Sequence, residues 1–220
     1  MHDHTTDPTA RHHTTSPDRG TDSPRAEPLR LLCDEMLRGL GRWLRAAGYN
    51  TAIAHAGQAD GELLRRAGAE VRVLLTRDRE LAARAGLDVG VVALATESLD
   101  AGARELGLRL GIDWLFAPFT RCLLDNAVLL PASAQERLGL PFKARGLEGP
   151  INTCPDCARL YWPGSHVCRM RARLEAWQGP AMATSRSRRS SPRPAYVTHR
   201  WPSHPNVGCL VKTGRRSETS

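Results

Sequence analysis

The sequence predicts an α/β fold: a parallel sheet flanked by helices, followed by a small cysteine-bearing module. Three observations carry that expectation. Short apolar runs alternate with amphipathic stretches from residue 29 to about 110. The run VRVLL at 71–75 is rich in valine and leucine, as expected of a strand buried on both faces. Beyond about Asp113 the periodicity fades, and Cys122, Cys154 and Cys157 follow.

The first strand is LRLLC, residues 29–33. In the helix after it, Met36, Leu37, Leu40, Trp43, Leu44 and Ala47 recur at three- and four-residue steps and make one apolar face. Arg38, Arg42 and Arg45 fall on another face at similar steps. Gly48 ends the helix, and residues 50–54 read as a second strand. A short helix follows over 60–67, with Asp60 placed to cap it. The third strand, 71–75, leads through Thr76-Arg77-Asp78 into a helix reaching about Ala85. Residues 89–94 read as the fourth strand, and Thr96-Glu97-Ser98 opens a helix to about Leu110. A last helix is expected over 167–177.

The 220 residues carry a formal charge of +8, unevenly distributed. From Gln178 onward eight basic residues face one acid; up to Pro28 three arginines face five acids. The strongly basic end suits contact with a polyanion such as RNA, although basic low-complexity ends often bind nothing specific. Residues 1–28 and 178–220 hold too little apolar surface to offset the entropy of ordering and are expected to be disordered tails. Histidines at 2, 4, 12 and 13 read as solvated tail residues. Six cysteines in a chain of this length do not make a disulfide scaffold. A C-x-x-C is commoner as a metal or redox signature in a reducing cytosol. With no apolar run of membrane-spanning length, the chain reads as a cytoplasmic protein without a membrane partner.

Asp34 follows strand one, Asp78 strand three and Glu97 strand four, with Asp60 opening the helix between. In a parallel sheet the carboxyl ends of the strands share one edge, so these acids can converge. Gathered carboxylates repel unless a cation neutralises them, and oxygen ligands suit Mg²⁺ or Mn²⁺. Such an ion activates water and stabilises charge on a phosphate. Arg77, with Arg38 or Arg42, would then position the phosphate backbone of a nucleic acid. Each acid alone also reads as a helix N-cap, and Arg77 as one half of a salt bridge.

The stretches LLCDEMLRGLGRWLRAAGYNT at 31–51, DGELL at 60–64, VLLTRD at 73–78, FTRC at 119–122 and CPDCARLYWPGSH at 154–166 resemble the Mut-seven C-terminal RNase family. That family is similar to the PIN-domain nucleases and carries a C-terminal zinc ribbon. The resemblance covers about residues 29–174. It implies a PIN-like sheet at 29–118 with a metal-dependent ribonuclease centre, and a zinc-ribbon-like module with its closing helix at 119–177. Asp34, Asp60 and Asp78 match the family's acidic positions, whereas Glu97 is placed by strand position alone.

The family pattern also implies a second cysteine pair, C-x-x-C-N. Here it reads Cys122-Leu-Leu-Asp125-Asn126, with Asp125 in place of a cysteine. Carboxylate oxygen ligates zinc, so Cys122, Asp125, Cys154 and Cys157 make a possible, weakened Zn²⁺ site. His166 or Cys168 are alternative fourth ligands, and a metal-free remnant held by packing is the third reading. Tyr161 and Trp162 either fill the module's core or stack on bases. The expected activity is metal-dependent hydrolysis of RNA. The alternative is a non-catalytic RNA-binding zinc-ribbon protein with a degenerate PIN-like domain. A phosphoacceptor receiver domain would need a lysine after a fifth strand, and Lys143 and Lys212 both lie outside the sheet region.

Overall fold

In the computed structural model, which describes residues 29–86, 88–146 and 149–185, the chain forms a mixed α/β fold. Four short parallel strands build the sheet: β1 (Arg30–Cys33), β2 (Asn50–Ile53), β3 (Val73–Thr76) and β4 (Val91–Ala93). Their order is β2-β1-β3-β4. Leu32 pairs with Ala52 on one side and Leu74 on the other, and Leu75 pairs with Val92. The helices are α1 (Arg38–Ala46), α2 (Asp60–Ala69), α3 (Arg79–Ala83) and α4 (Leu99–Leu110).

Alternating strand residues feed two cores. Leu31, Cys33, Leu75 and Val92 face Leu40 and Leu44 of α1 and Ala103 and Leu106 of α4. Leu32, Ala52 and Leu74 face Leu63 and Ala67 of α2 and Leu81 of α3. A strand covered on both faces must be apolar throughout, which is why 71–75 reads as it does.

Past α4 the regular structure shrinks. A three-stranded antiparallel sheet joins β5 (Leu130–Pro131), β6 (Asn152–Thr153) and β7 (Leu160–Tyr161). The one-turn helix α5 (Ala134–Arg137) is fixed by a capping box between Ser133 and Glu136. Helix α6 (Ser165–Ser185) closes the described chain, with a non-helical Gly179 inside it (φ 59°, ψ 164°). Met170, Leu174 and Trp177 of α6 enter the core of α1 and α4. Trp177 packs edge-on against both Trp43 and Trp114, each with a centroid separation of 4.9 Å.

Several expectations shift for local reasons. Helix α1 begins at Arg38 because Asp34 first caps a short 3-10 turn over Glu35–Leu37; Met36 stands 50% exposed rather than in the core. Strand β3 begins at Val73. Val71 takes a left-handed φ of 49° as its N–H and that of Arg72 bond back to Gly68 and Ala67. Arg45 leaves the exposed arginine face: it is buried, and its Nε donates to Thr51 O at 2.8 Å. Asp60 is the first residue of α2 and caps nothing, since the N-cap is Ala59. The last helix runs past Trp177 to Ser185, where a disordered tail was expected from 178; Gln178 is buried and accepts the Trp114 N–H at 2.8 Å. The expected tails at 1–28 and 186–220 lie outside the described residues.

Gly48 needs its glycine. At φ +102° it turns the chain from α1 into β2, and a Cβ there would meet Ala117 O at 2.3 Å.

Candidate functional site

At the carboxyl edge of the sheet the hydroxyl of Thr76 links the carboxylate of Asp34 to the main chain of Asp78. Asp34 leaves β1 and is buried; its Oδ1 accepts the N–H groups of Met36 (2.7 Å) and Leu37 (3.3 Å). Its Oδ2 accepts the hydroxyl of Thr76, the last residue of β3. The same Thr76 oxygen accepts the N–H of Asp78 at 2.9 Å. Asp78 Oδ1 in turn caps α3 through Glu80 (2.7 Å) and Leu81 (3.0 Å), and Oδ2 is left open among the described residues. Both acids are therefore caps, and both belong to one hydrogen-bonded corner. Thr76 stands in the sequence motif but has no chemistry of its own to mark it. Only the parallel pairing of β1 and β3 gives it a role.

The other expected residues are placed differently. Asp60 is held in an ion pair with Arg84. Glu97 is exposed in the bend before α4, whose cap is Ser98. Arg38 and Arg42 are exposed on α1, with no hydrogen bond or ion pair among the described residues. Arg77 is half-buried between Thr76 and Asp78, and its Nε is buried without a partner. Beneath the corner, burial first and the Asp34 charge second push the Cys33 thiol up to about 12.

A second site lies in the cysteine-bearing module. One ligand atom each from Cys122, Asp125, Cys154 and Cys157 lie within 4.8 Å of one another, and this set can hold a metal ion such as zinc. Among the described residues no other group of three or more His, Cys, Asp or Glu side chains is so gathered. Asp34, Asp60, Asp78 and Glu97 do not form one, and His166 and Cys168 stay outside the cysteine set.

Two loops of matching form deliver the ligands. Asn126 N–H bonds Cys122 O at 3.0 Å, and Ala158 N–H bonds Cys154 O at 2.9 Å. Cys122 N–H then bonds Ala127 O at 2.8 Å, and Cys154 N–H bonds Arg159 O at 2.9 Å. Asn126 (φ 70°) and Ala158 (φ 56°) both turn left-handed at the equivalent place. The matching loops put Asp125 in the position that Cys157 holds in the other loop. Asp125 N–H points at Cys122 Sγ (3.4 Å), and Asp125 Oδ2 accepts from Cys122 (3.4 Å) and Cys154 (3.5 Å). The Asp125 carboxylate, more than burial, pushes the Cys157 thiol up to about 12, while burial raises Cys154. Bonding to Cys157, then to the other thiols, holds Asp125 below its ordinary range.

Sequence reasoning missed the supports of this site. Tyr161 gives it a hydroxyl 3.1 Å from Cys122 Sγ and accepts Leu123 N–H at 3.2 Å. Arg45 reaches from α1 to Leu123 O at 3.0 Å and Leu124 O at 2.5 Å. Asn126 Oδ1 accepts Thr51 N–H at 2.9 Å, covering the outer edge of β2. The asparagine after the Cys122 loop was the available signal.

Residues 29–174 match the Mut7-C RNAse domain family, a span of more than half the chain. The chain belongs to that family. No curated protein and no solved structure matches it. The Mut7-C span takes in both the Asp34–Thr76–Asp78 corner and all four residues of the cysteine set.

Proposed function

We propose that this Mut7-C domain is a metal-dependent ribonuclease that hydrolyses phosphodiester bonds in RNA at the carboxyl edge of its sheet. The observation that carries the reading is that the Thr76 hydroxyl donates to the Asp34 carboxylate and accepts the main-chain N–H of Asp78, which places the two residues at one corner. Mg²⁺ is commonly held by one or two carboxylates, with water and substrate phosphate filling its other positions, and an Asp34–Asp78 pair fits that need. A bound Mg²⁺ or Mn²⁺ would supply Lewis acidity and an activated water.

The chain's own residues do the rest. Thr76 and the N–H groups of Met36 and Leu37 fix the Asp34 carboxylate in one orientation. The open Oδ2 of Asp78 faces no competing donor among the described residues. Arg77, which precedes Asp78 in the chain and whose Nε has no partner among the described residues, is the phosphate-positioning residue, with Arg38 and Arg42 along the exposed side of α1. Asp60 and Glu97 have secondary roles, Asp60 reaching the centre only by giving up Arg84.

In this scheme residues 29–118 form the nuclease domain. Residues 119–177 form a module stabilised by Zn²⁺ on Cys122, Asp125, Cys154 and Cys157. Three thiols and a carboxylate, presented by two matching loops, suit that ion. A cytoplasmic location belongs to this reading because a metal-suited C-x-x-C is commoner in a reducing compartment. No helix among the described residues is long and apolar enough to cross a membrane.

The test is Asp78→Asn, assayed on a labelled single-stranded RNA with Mn²⁺. We expect a loss of about 100-fold or more, as for removal of a group engaged in the transition state. Undiminished cleavage would remove Asp78 from the centre. A second reading draws on the capping bonds: Asp34 and Asp78 each cap a turn, as a non-catalytic RNA-binding domain would use them. It expects RNA retention that neither Mg²⁺ nor Asp34→Asn alters.

A further inference from the structure

The sheet domain and the module differ in charge. Residues 29–118 carry twelve basic and twelve acidic side chains, and residues 119–177 carry eight basic against five acidic. The excess that attracts a polyanion thus lies in residues 119–177 and not in residues 29–118. There the chain also has an open cavity of about 820 Å³, between the Cys122 loop, β7 and the start of α6. Its walls include Leu123, Leu124, Pro141 and the half-buried Trp162. Of the charged or titratable residues on its lining, Arg159 and His166 are exposed and have no side-chain partner among the described residues, whereas the Glu136 carboxylate is engaged by Ser133. Past Pro141 stand Phe142, 86% exposed, and Lys143.

We infer that this groove is a second RNA-binding site, one that takes a nucleotide of single-stranded RNA outside the cleavage centre. Its size falls in the range of small-ligand clefts, about 300–1,000 Å³. An indole beside free cationic and imidazole groups is the combination that stacks a base and meets its phosphate without reading sequence. Trp162 supplies the stacking surface, Arg159 and His166 the phosphate contacts, and Phe142 with Lys143 continues the track for the next nucleotide. Tyr161 is not part of it, because its hydroxyl is committed to Cys122 and Leu123. Gly164 shapes the groove: a Cβ there would come 2.9 Å from Trp162 Nε1 and displace the ring.

This inference rests on the ribonuclease reading for its ligand class, so the test separates the two. Binding of a fluorescein-labelled 12-mer of oligouridylate to the full chain is followed by anisotropy in EDTA, where no metal-dependent cleavage occurs. Arg159→Ala/His166→Ala should weaken binding about five- to tenfold and lower the salt slope by about one, as expected for a lost phosphate contact. Gly164→Ala should weaken it severalfold without changing charge. Arg65→Ala, an exposed arginine of α2, is the control and should bind within twofold of the unaltered protein. Circular dichroism and bound zinc confirm that each variant is folded. If the double variant binds as tightly as Arg65→Ala, or if the unaltered protein does not retain the 12-mer, the groove is not an RNA site. Cleavage of the same RNA with Mn²⁺, lost in Asp78→Asn, would still stand in either case.

Discussion

The parallel sheet and the cysteine-bearing module are held together by different means. Each sheet face has its own layer of large buried side chains: Leu31, Leu44, Leu75 and Leu106 on one, Leu32, Leu74 and Leu81 on the other. The module has two-residue strands and small cores. One is Ala132, Leu140, Ala144 and Ile151; the other is Cys122, Leu129 and Cys154, which contains two of the ligands. A core that small rarely supports a fold alone, and four gathered ligand atoms are the usual remedy. Packing therefore secures the first region. The second, on the zinc reading proposed above, would depend on what its ligand groups bind.

Stripping metal should break that comparison most sharply. After treatment with a strong zinc chelator, we expect amides of Cys122, Cys154 and Ala158 to lose hydrogen-exchange protection, while those of Leu31, Leu74 and Leu75 keep theirs. Cys154→Ser should reproduce the effect and abolish stoichiometric zinc. Protection that survives in the module would mean packing suffices there too. The converse is Leu75→Ala. Leu75 is fully buried, so the cavity should lower unfolding stability by about 3 kcal/mol in urea titration while zinc content stays unchanged.

The two regions were also unequally legible. Strand–helix alternation gave the sheet because its cause is local: apolar periodicity repeats within each segment. The errors sit where tertiary contacts override that pattern. Arg45 has the spacing of a surface arginine, yet it is drawn under the chain by carbonyls at Thr51, Leu123 and Leu124. Val71 looks like strand, but the end of α2 takes up its N–H. In the module the C-x-x-C spacing marked Cys154 and Cys157, and the family pattern marked Cys122 and Asp125, without fixing any surrounding structure. Tyr161, Asn126 and Arg45 could not be found as its supports, because each acts across more than 30 residues. At the acidic edge Asp34 and Asp78 were readable, whereas the link between them through Thr76 needed the strand order.

Asp125 sharpens the comparison from inside the module. Zinc prefers thiolate sulfur to a lone carboxylate oxygen, so Asp125→Cys should tighten zinc binding by about tenfold. Competition with a chromophoric chelator measures this. An unchanged affinity would mean that Asp125 is not a ligand and that three thiols hold the ion with an outside group.

The smallest effect is expected where α6 crosses back to the sheet domain. Asp100 Oδ1 on α4 accepts Trp177 Nε1 at 2.7 Å and Arg173 at 3.0 and 3.1 Å. The Trp177 bond first, and Arg173 second, hold this carboxyl below its ordinary value of 3.8. A depressed folded value contributes stability that is present above the unfolded value and is lost as pH falls through the folded one. The contribution should therefore be constant at neutral pH and decline on acidification below about pH 4. The side chain is about half-exposed, so solvent screening keeps it small. Asp100→Asn should lower the melting temperature slightly at pH 7, and the two proteins should converge as acid titrates Asp100. A difference that persists undiminished down to pH 2 would assign the effect to the shape of the Trp43–Trp177–Trp114 packing instead of the charge. The join between α6 and the sheet would then be one more case of packing, on the side of the molecule where packing already governs.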